Sequence, residues 1–178
     1  GSSRSEKELV QMLLAQFQEE QAAIRSLTQQ SPSLLSMLSE GITEDFPIPE
    51  PEEMLSDLQS RMINDFPVSN PTPSFTVKDV VPSLESYSAP AFYLTTPLGD
   101  SDNNVIYINR RNSPMGLELY TTLAHEGFPG HLYQTVYSNR AFLDKDMDPV
   151  RKLIWYGGYL EGWALYVEFI SYDYAADL

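Results

Sequence analysis

Thr121-Thr122-Leu123-Ala124-His125-Glu126-Gly127-Phe128-Pro129-Gly130-His131 holds both histidines of the chain within one short run. A second segment, Gly158-Tyr159-Leu160-Glu161-Gly162-Trp163-Ala164, sets a single acid among aromatic, apolar and small residues. Imidazole nitrogens and carboxylate oxygens together suit a borderline-soft dication, and a hydrolytic zinc site uses three such ligands and leaves a fourth position for water. His125, His131 and Glu161 are the candidate ligands. Zn²⁺, one ion, is the expected cofactor, with another divalent metal as the alternative. Glu126 follows a ligand directly, so its side chain points elsewhere and is the candidate general base.

The step from His125 to His131 is six residues, whereas side chains on one helical face recur at three and four. An undisturbed helix would therefore separate the two rings. Pro129 lacks the N–H that helix hydrogen bonding requires, and its ring clashes with the carbonyl four residues earlier, that of His125. Gly127 and Gly130 add backbone freedom. The expectation is one helix from Pro114, capped by Asn112-Ser113-Pro114, kinked between Glu126 and His131 and ending near Asn139.

The run His-Glu-Gly-Phe-Pro-Gly-His, preceded by Thr-Thr-Leu-Ala and followed by Gly-Tyr-Leu-Glu-Gly-Trp-Ala-Leu-Tyr-Val-Glu, resembles the bacterial DUF885 family. The likeness extends from about Pro51 to the C-terminus and includes Ser-Ala-Pro-Ala-Phe-Tyr and Val-Ile-Tyr-Ile-Asn. It implies a zinc-dependent peptidase of the gluzincin type, with two histidines from one helix and a glutamate from the next. It also implies that the chain is an internal piece of a longer protein, that site residues lie beyond Leu178, and that the piece alone is inactive.

Composition narrows the field. A net charge of −14 argues against nucleic acid and anionic membrane surfaces as partners, since both attract basic patches. The absence of cysteine removes disulfides, a thiol nucleophile and thiolate metal sites. No apolar run has the length of a transmembrane segment. Gly1-Ser2-Ser3 reads as the remnant of an expression tag, which leaves an extracytoplasmic or cell-envelope location open. Oligomeric state is not legible.

Outward from the central run, the pattern is α+β and mostly helical, zincin-like, with a kinked active-site helix, a glutamate-bearing helix after it and a small antiparallel hairpin or sheet. Residues 4–50 form an N-terminal helical segment and 51–178 a partial catalytic domain. Ser5 and Glu8 make a capping box for a helix from about Ser5 to Gln29. A short helix is expected over Pro32–Leu38, a loop over Ile42–Glu50, and a helix from Pro51 to about Asn64. Phe75-Thr76-Val77 is β-prone, although Val77–Val80 fits equally a turn into a short helix ending near Tyr87. Ala91-Phe92-Tyr93-Leu94-Thr95 and Val105-Ile106-Tyr107-Ile108-Asn109 read as a hairpin. Pro90 and Pro97 flank the first strand and assign it to the edge, where an extended peptide substrate would add along Ala91, Phe92, Tyr93 and Leu94. Ala141–Asp148 reads as an acidic loop. The last helix should start at Pro149, be interrupted or bend at Gly157-Gly158, and resume through Glu161 to the end.

Glu161 and Glu168 are seven apart and share a helical face, so Glu168 is a candidate to hold a ligand in place from behind or to substitute as a ligand. Tyr156, Tyr159 and Trp163 read first as core aromatics, with Tyr156 or Tyr159 a possible oxyanion donor. From the residues alone, a satisfied core histidine pair or a surface loop competes evenly with a metal site. The apolar settings of His125, Glu126 and Glu161 suggest burial, and a buried carboxylate needs a partner. Three functions follow: a zinc peptidase cleaving peptide bonds with Glu126 as base, a metal-dependent hydrolase of another amide or ester, and a non-catalytic binding or structural module.

Overall fold

The computed structural model describes residues 3–34, 46–96, 102–145, 148, 150, 154 and 156–178. It divides into two units, Gly1–Glu44 and Asp45–Leu178. The first unit carries helix α1, Glu6–Gln30. Its start is the expected capping box: Glu8 N–H donates to Ser5 Oγ at 3.4 Å and Ser5 N–H donates to Glu8 Oε2 at 2.7 Å. Within its own unit α1 buries no side chain. Most of the Pro32–Leu38 expectation lies outside the described residues.

The second unit contains α2 (Pro51–Arg61), β1 (Phe75–Asp79), β2 (Ala91–Leu94), β3 (Asn104–Ile108), α3 (Gly116–Glu126), α4 (His131–Asp144) and α5 (Gly157–Ala176). A 3₁₀ turn, Met62–Asn64, extends α2 to the expected Asn64. The strands order β1-β3-β2, with β2 antiparallel and β1 parallel to β3. The hairpin and its edge and interior strands are as read from the prolines. The sheet is mixed rather than purely antiparallel, because Phe75–Asp79 is a strand and not the turn into a helix; a separate 3₁₀ turn follows at Glu85–Tyr87. Buried Asn109 ties that turn to the end of β3, its Nδ2 donating to the carbonyls of Glu85 and Ser88 at 2.7 and 3.0 Å.

The core gathers around α3. Leu119, Tyr120, Leu123 and Ala124 meet Met54, Leu55 and Leu58 of α2 and Ile106 and Ile108 of β3, and α3 also packs on α5. These residues recur at three and four positions on the helices and alternate on β3, so apolar side chains face inward at each element's own period. Three buried tyrosines carry their hydroxyls to partners near the 57–67 stretch: Tyr120 to Asp57 at 2.6 Å, Tyr133 to the Pro67 carbonyl at 2.6 Å and Tyr174 to Asp65 at 2.6 Å. A buried hydroxyl left unpaired is costly, so each bond fixes a ring as well as a loop. Burial raises all three phenols, Tyr133 to about 12.

The expected kink is a full break. α3 ends at Glu126 and α4 starts at His131, with a cis Phe128–Pro129 bond between them. The two histidines therefore come from successive helices rather than one. α3 begins at Gly116 rather than Pro114, since Gly116 adopts φ 59°, a left-handed conformation natural to glycine at the turn into the helix. α4 continues to Asp144, so Ala141–Asp144 is helix and not loop. Helix is present at residue 150, absent at 154 and 156, and resumes as α5 at Gly157, an interruption at the glycine pair as expected; residues 149, 151–153 and 155 lie outside the described set, as do 97–101 of the hairpin turn.

At Gly127 and Gly130 the requirement is space. A Cβ at Gly127 would strike Leu55 and Ile106, and one at Gly130 would run into the backbone carbonyls of Ala124 and His125. Backbone cannot yield as a side-chain tip can. Gly130→Ala should therefore lower stability by about 1–3 kcal/mol or more and weaken divalent-ion binding, read by urea unfolding and by zinc titration. Wild-type values for both would refute this account of the turn.

Candidate metal centre

The break between α3 and α4 turns the chain so that the last turn of α3 and the first residue of α4 bring their imidazoles together. The His125 and His131 rings lie 4.9 Å apart, nearly perpendicular at 84°. Glu161, on α5, reaches both: its Oε2 is 3.7 Å from His125 Nε2 and 3.6 Å from His131 Nε2. Ligands about 2.1 Å from a tetrahedral zinc stand about 3.4 Å from one another, close to these separations. His125, Glu126 and His131 also place one ligand atom each within 4.8 Å of one another. The donor set thus fits a divalent ion.

The other nitrogen of His125 faces Glu168, whose Oε2 lies 3.0 Å from Nδ1. A carboxylate can only accept, so the neutral ring carries its proton on Nδ1 and presents the Nε2 lone pair toward His131 and Glu161. This is the outer partner by which metal-binding histidines are oriented. The heptad spacing on α5 thus has a specific consequence. Glu161 meets one nitrogen of His125 and Glu168 the other.

Glu126 belongs to the same cluster and also reaches the sheet. Its Oε2 accepts a 2.9 Å hydrogen bond from the backbone N–H of Tyr93 in the edge strand β2. The edge strand does lie beside the cluster. The group that reaches it is the Tyr93 main chain, while Phe92 stacks on Tyr107 at 5.3 Å and Leu94 is exposed. Burial raises the Glu126 carboxyl, and the Tyr93 N–H and His125 partly offset that rise. Burial also lowers His131, with the neighbouring His125 acting in the same direction.

Two expectations need correction. Glu161 is not buried; its side chain is 63% exposed, because α5 turns Ala164, Val167 and Ser171 inward and leaves Glu161 at the margin of that face. Its place beside the histidines, not burial, makes it a ligand candidate. Tyr156 and Tyr159 are exposed rather than core, and only Trp163 packs on the core, its Nε1 donating to the Pro129 carbonyl at 2.8 Å. Tyr159 lines a separate hollow with Tyr133 and Trp163. The Tyr93 N–H escaped sequence reading, since a main-chain donor carries no residue signature; the edge assignment of β2 was the signal for it.

A family described as "Bacterial protein of unknown function (DUF885)" matches residues 1–175. No curated protein matches the chain. The crystal structure of "the putative lipoprotein from Colwellia psychrerythraea" is similar, with a TM-score of 0.62 and 24% identity, over 97% of this chain and 32% of that one. The chain thus spans about a third of that protein's length, and the likeness is one of fold.

Removing the outer partner should loosen the centre without dismantling it. Glu168→Gln is expected to weaken zinc affinity about 10–100-fold at unchanged stoichiometry, measured by competition with a chromophoric chelator. Unaltered affinity would deny Glu168 this orienting role.

Proposed function

The chain belongs to the DUF885 family, and we propose that it contributes the metal centre of a zinc-dependent hydrolase that cleaves peptide bonds. The observation that carries this reading is the placement of Glu161 within 3.6–3.7 Å of both Nε2 atoms while Glu126, next to a ligand, faces the sheet edge. His125, His131 and Glu161 would hold the ion. A divalent ion bound there would acidify a water and polarise a carbonyl.

The chain's own groups supply the rest. Glu126 takes a proton from water as the oxygen bonds to the carbonyl carbon, and returns it to the amine nitrogen as the C–N bond breaks. Glu168 keeps the His125 proton on Nδ1 throughout. The edge of β2 runs along the base, so an extended peptide laid beside it would bring a scissile amide to Glu126 with main-chain hydrogen bonds. The Tyr93 N–H now engaged by Glu126 is in line to serve such a substrate.

Peptide rather than another acyl substrate is favoured by that edge alone. The description of the similar structure as a lipoprotein supports a place at the cell envelope, also a proposal. The chain spans about a third of that structure, and peptide hydrolysis is accordingly a proposal for it.

Glu126→Gln retains an acceptor for Tyr93 N–H and loses the base. In the longer protein it should lower peptide turnover about 10²–10⁴-fold and leave zinc content intact, whereas Glu161→Ala should reduce the zinc content. Full activity in the Gln variant would remove Glu126 from the role of base, and elemental analysis with no divalent ion after metal loading would remove the hydrolase reading altogether.

A further inference from the structure

The turn of α5 that carries Glu161 is weakly built. Glycine is the poorest helix former after proline, and α5 opens on Gly157-Gly158 and has a third glycine at Gly162. No side chain caps its start, and its first buried residue is Ala164. A Cβ at Gly158 or Gly162 would meet no neighbouring atom within 4 Å. Glu161, 63% exposed on such a turn, stands beside the histidines only if the helix beneath it is held in place.

Trp163 ties this end of the helix to the unit. Its Nε1–H donates to the Pro129 carbonyl at 2.8 Å. That carbonyl has no helical donor, because in the irregular turn between α3 and α4 the Tyr133 N–H, four residues on, goes to the Gly127 carbonyl instead. Pro129 is buried, and a buried carbonyl needs a donor, which the indole supplies. The ring is itself held. It meets Phe66 edge-on at 5.6 Å and lies nearly parallel to Tyr133 at 6.5 Å and 18°, and the Tyr133 hydroxyl is bonded to the Pro67 carbonyl.

The bond joins the two segments that the metal centre has to bring together. Pro129 stands two residues before His131, and Trp163 two residues after Glu161. Helical residues two apart differ by about 3 Å along the axis and about 200° around it. Fixing Trp163 therefore fixes both the height and the rotation of α5, and with them the 3.6 Å approach of Glu161 Oε2 to His131 Nε2. We propose that Trp163 is the positioning residue of the metal centre: its N–H on the Pro129 carbonyl holds the glycine-rich start of α5 against the turn before His131 and so places Glu161 beside both imidazoles. It acts through Glu161 and not on the ion or the substrate itself.

The consequence for zinc rests on the proposed function, whereas the tether belongs to the metal-free chain, so the two are tested apart. Two replacements remove the N–H and keep an aromatic ring: Trp163→Phe, and 3-benzothienylalanine introduced at position 163 alone, which keeps the size of the indole with sulfur in place of nitrogen. With a chelator present, hydrogen exchange of the amides of residues 159–162 should quicken about tenfold in both chains and stay unchanged beyond Val167. Both should bind zinc about tenfold more weakly in competition with a chromophoric chelator, and the visible bands of the cobalt-substituted chain should shift. In a Glu161→Ala background neither replacement should weaken zinc further, because the ligand that Trp163 positions is gone. Wild-type exchange at 159–162 in the benzothienylalanine chain would overturn the tether. The same loss of zinc affinity with and without Glu161, or unshifted cobalt bands, would overturn the positioning role, since a generally loosened fold behaves in that way. Quickened exchange in a chain whose wild type takes up no divalent ion would overturn the zinc reading, and Trp163's role in it, while the tether stood.

Discussion

The close approach of backbone to backbone at Gly130 is the constraint on which the rest of the site depends. Without a side chain, Gly130 lies against the carbonyls that close α3, and α4 can start immediately with His131. Any larger residue would push the second helix outward and carry the second imidazole with it. Gly127 serves the opposite side of the same turn by allowing α2 and β3 to press Leu55 and Ile106 against it. Phe128, fully buried between them in sequence and edge-on to Phe75 at 5.5 Å, anchors the turn in the core. Burial of such a ring is worth about 1.5–3 kcal/mol, enough to hold a segment that gives up helical hydrogen bonds.

Around that turn the polar groups are arranged by element. α5 supplies two carboxylates to the two nitrogens of one imidazole, and β2 supplies a main-chain N–H to the carboxylate beside it. Each group is thereby directed: His125 toward His131 and Glu161, Glu126 toward the sheet edge. Trp163 ties α5 to the turn itself through the Pro129 carbonyl. Displacement of α5 would disturb the turn, the ring orientation and the aromatic hollow together.

Burial acts on Glu126 and His131 in one direction, toward their neutral forms. Desolvation disfavours charge, raising the Glu126 carboxyl and lowering the His131 imidazolium. A cation held between them would reverse the sense of that local field, because its charge favours the carboxylate and competes with protons for imidazole. Folding thus gathers two groups whose charged forms are disfavoured, and in the proposed reading an ion would relieve them jointly.

Much of this was legible in residue order. The capping box of α1, the α2 start at Pro51, the hairpin and its edge strand, and the shared face of Glu161 and Glu168 follow from local rules: side-chain caps, proline's missing donor, the period of two in strands and seven-residue spacing on a helix; joining those acids to His125 and His131 rested on ligand chemistry and the family resemblance. Those rules act over a few residues and need no distant partner. Three things required the tertiary structure. Whether Pro129 kinks a helix or divides it depends on what packs beside Gly127 and Gly130, and those contacts come from α2, β3 and α3. Glu161 looked buried from its apolar neighbours, yet the depth of a helical residue is set by the orientation of the whole helix on its core. The Tyr93 N–H and the Pro129 carbonyl are main-chain groups that carry no chemical signature in sequence; they acquire meaning only when residues 33 and 34 positions apart are brought face to face.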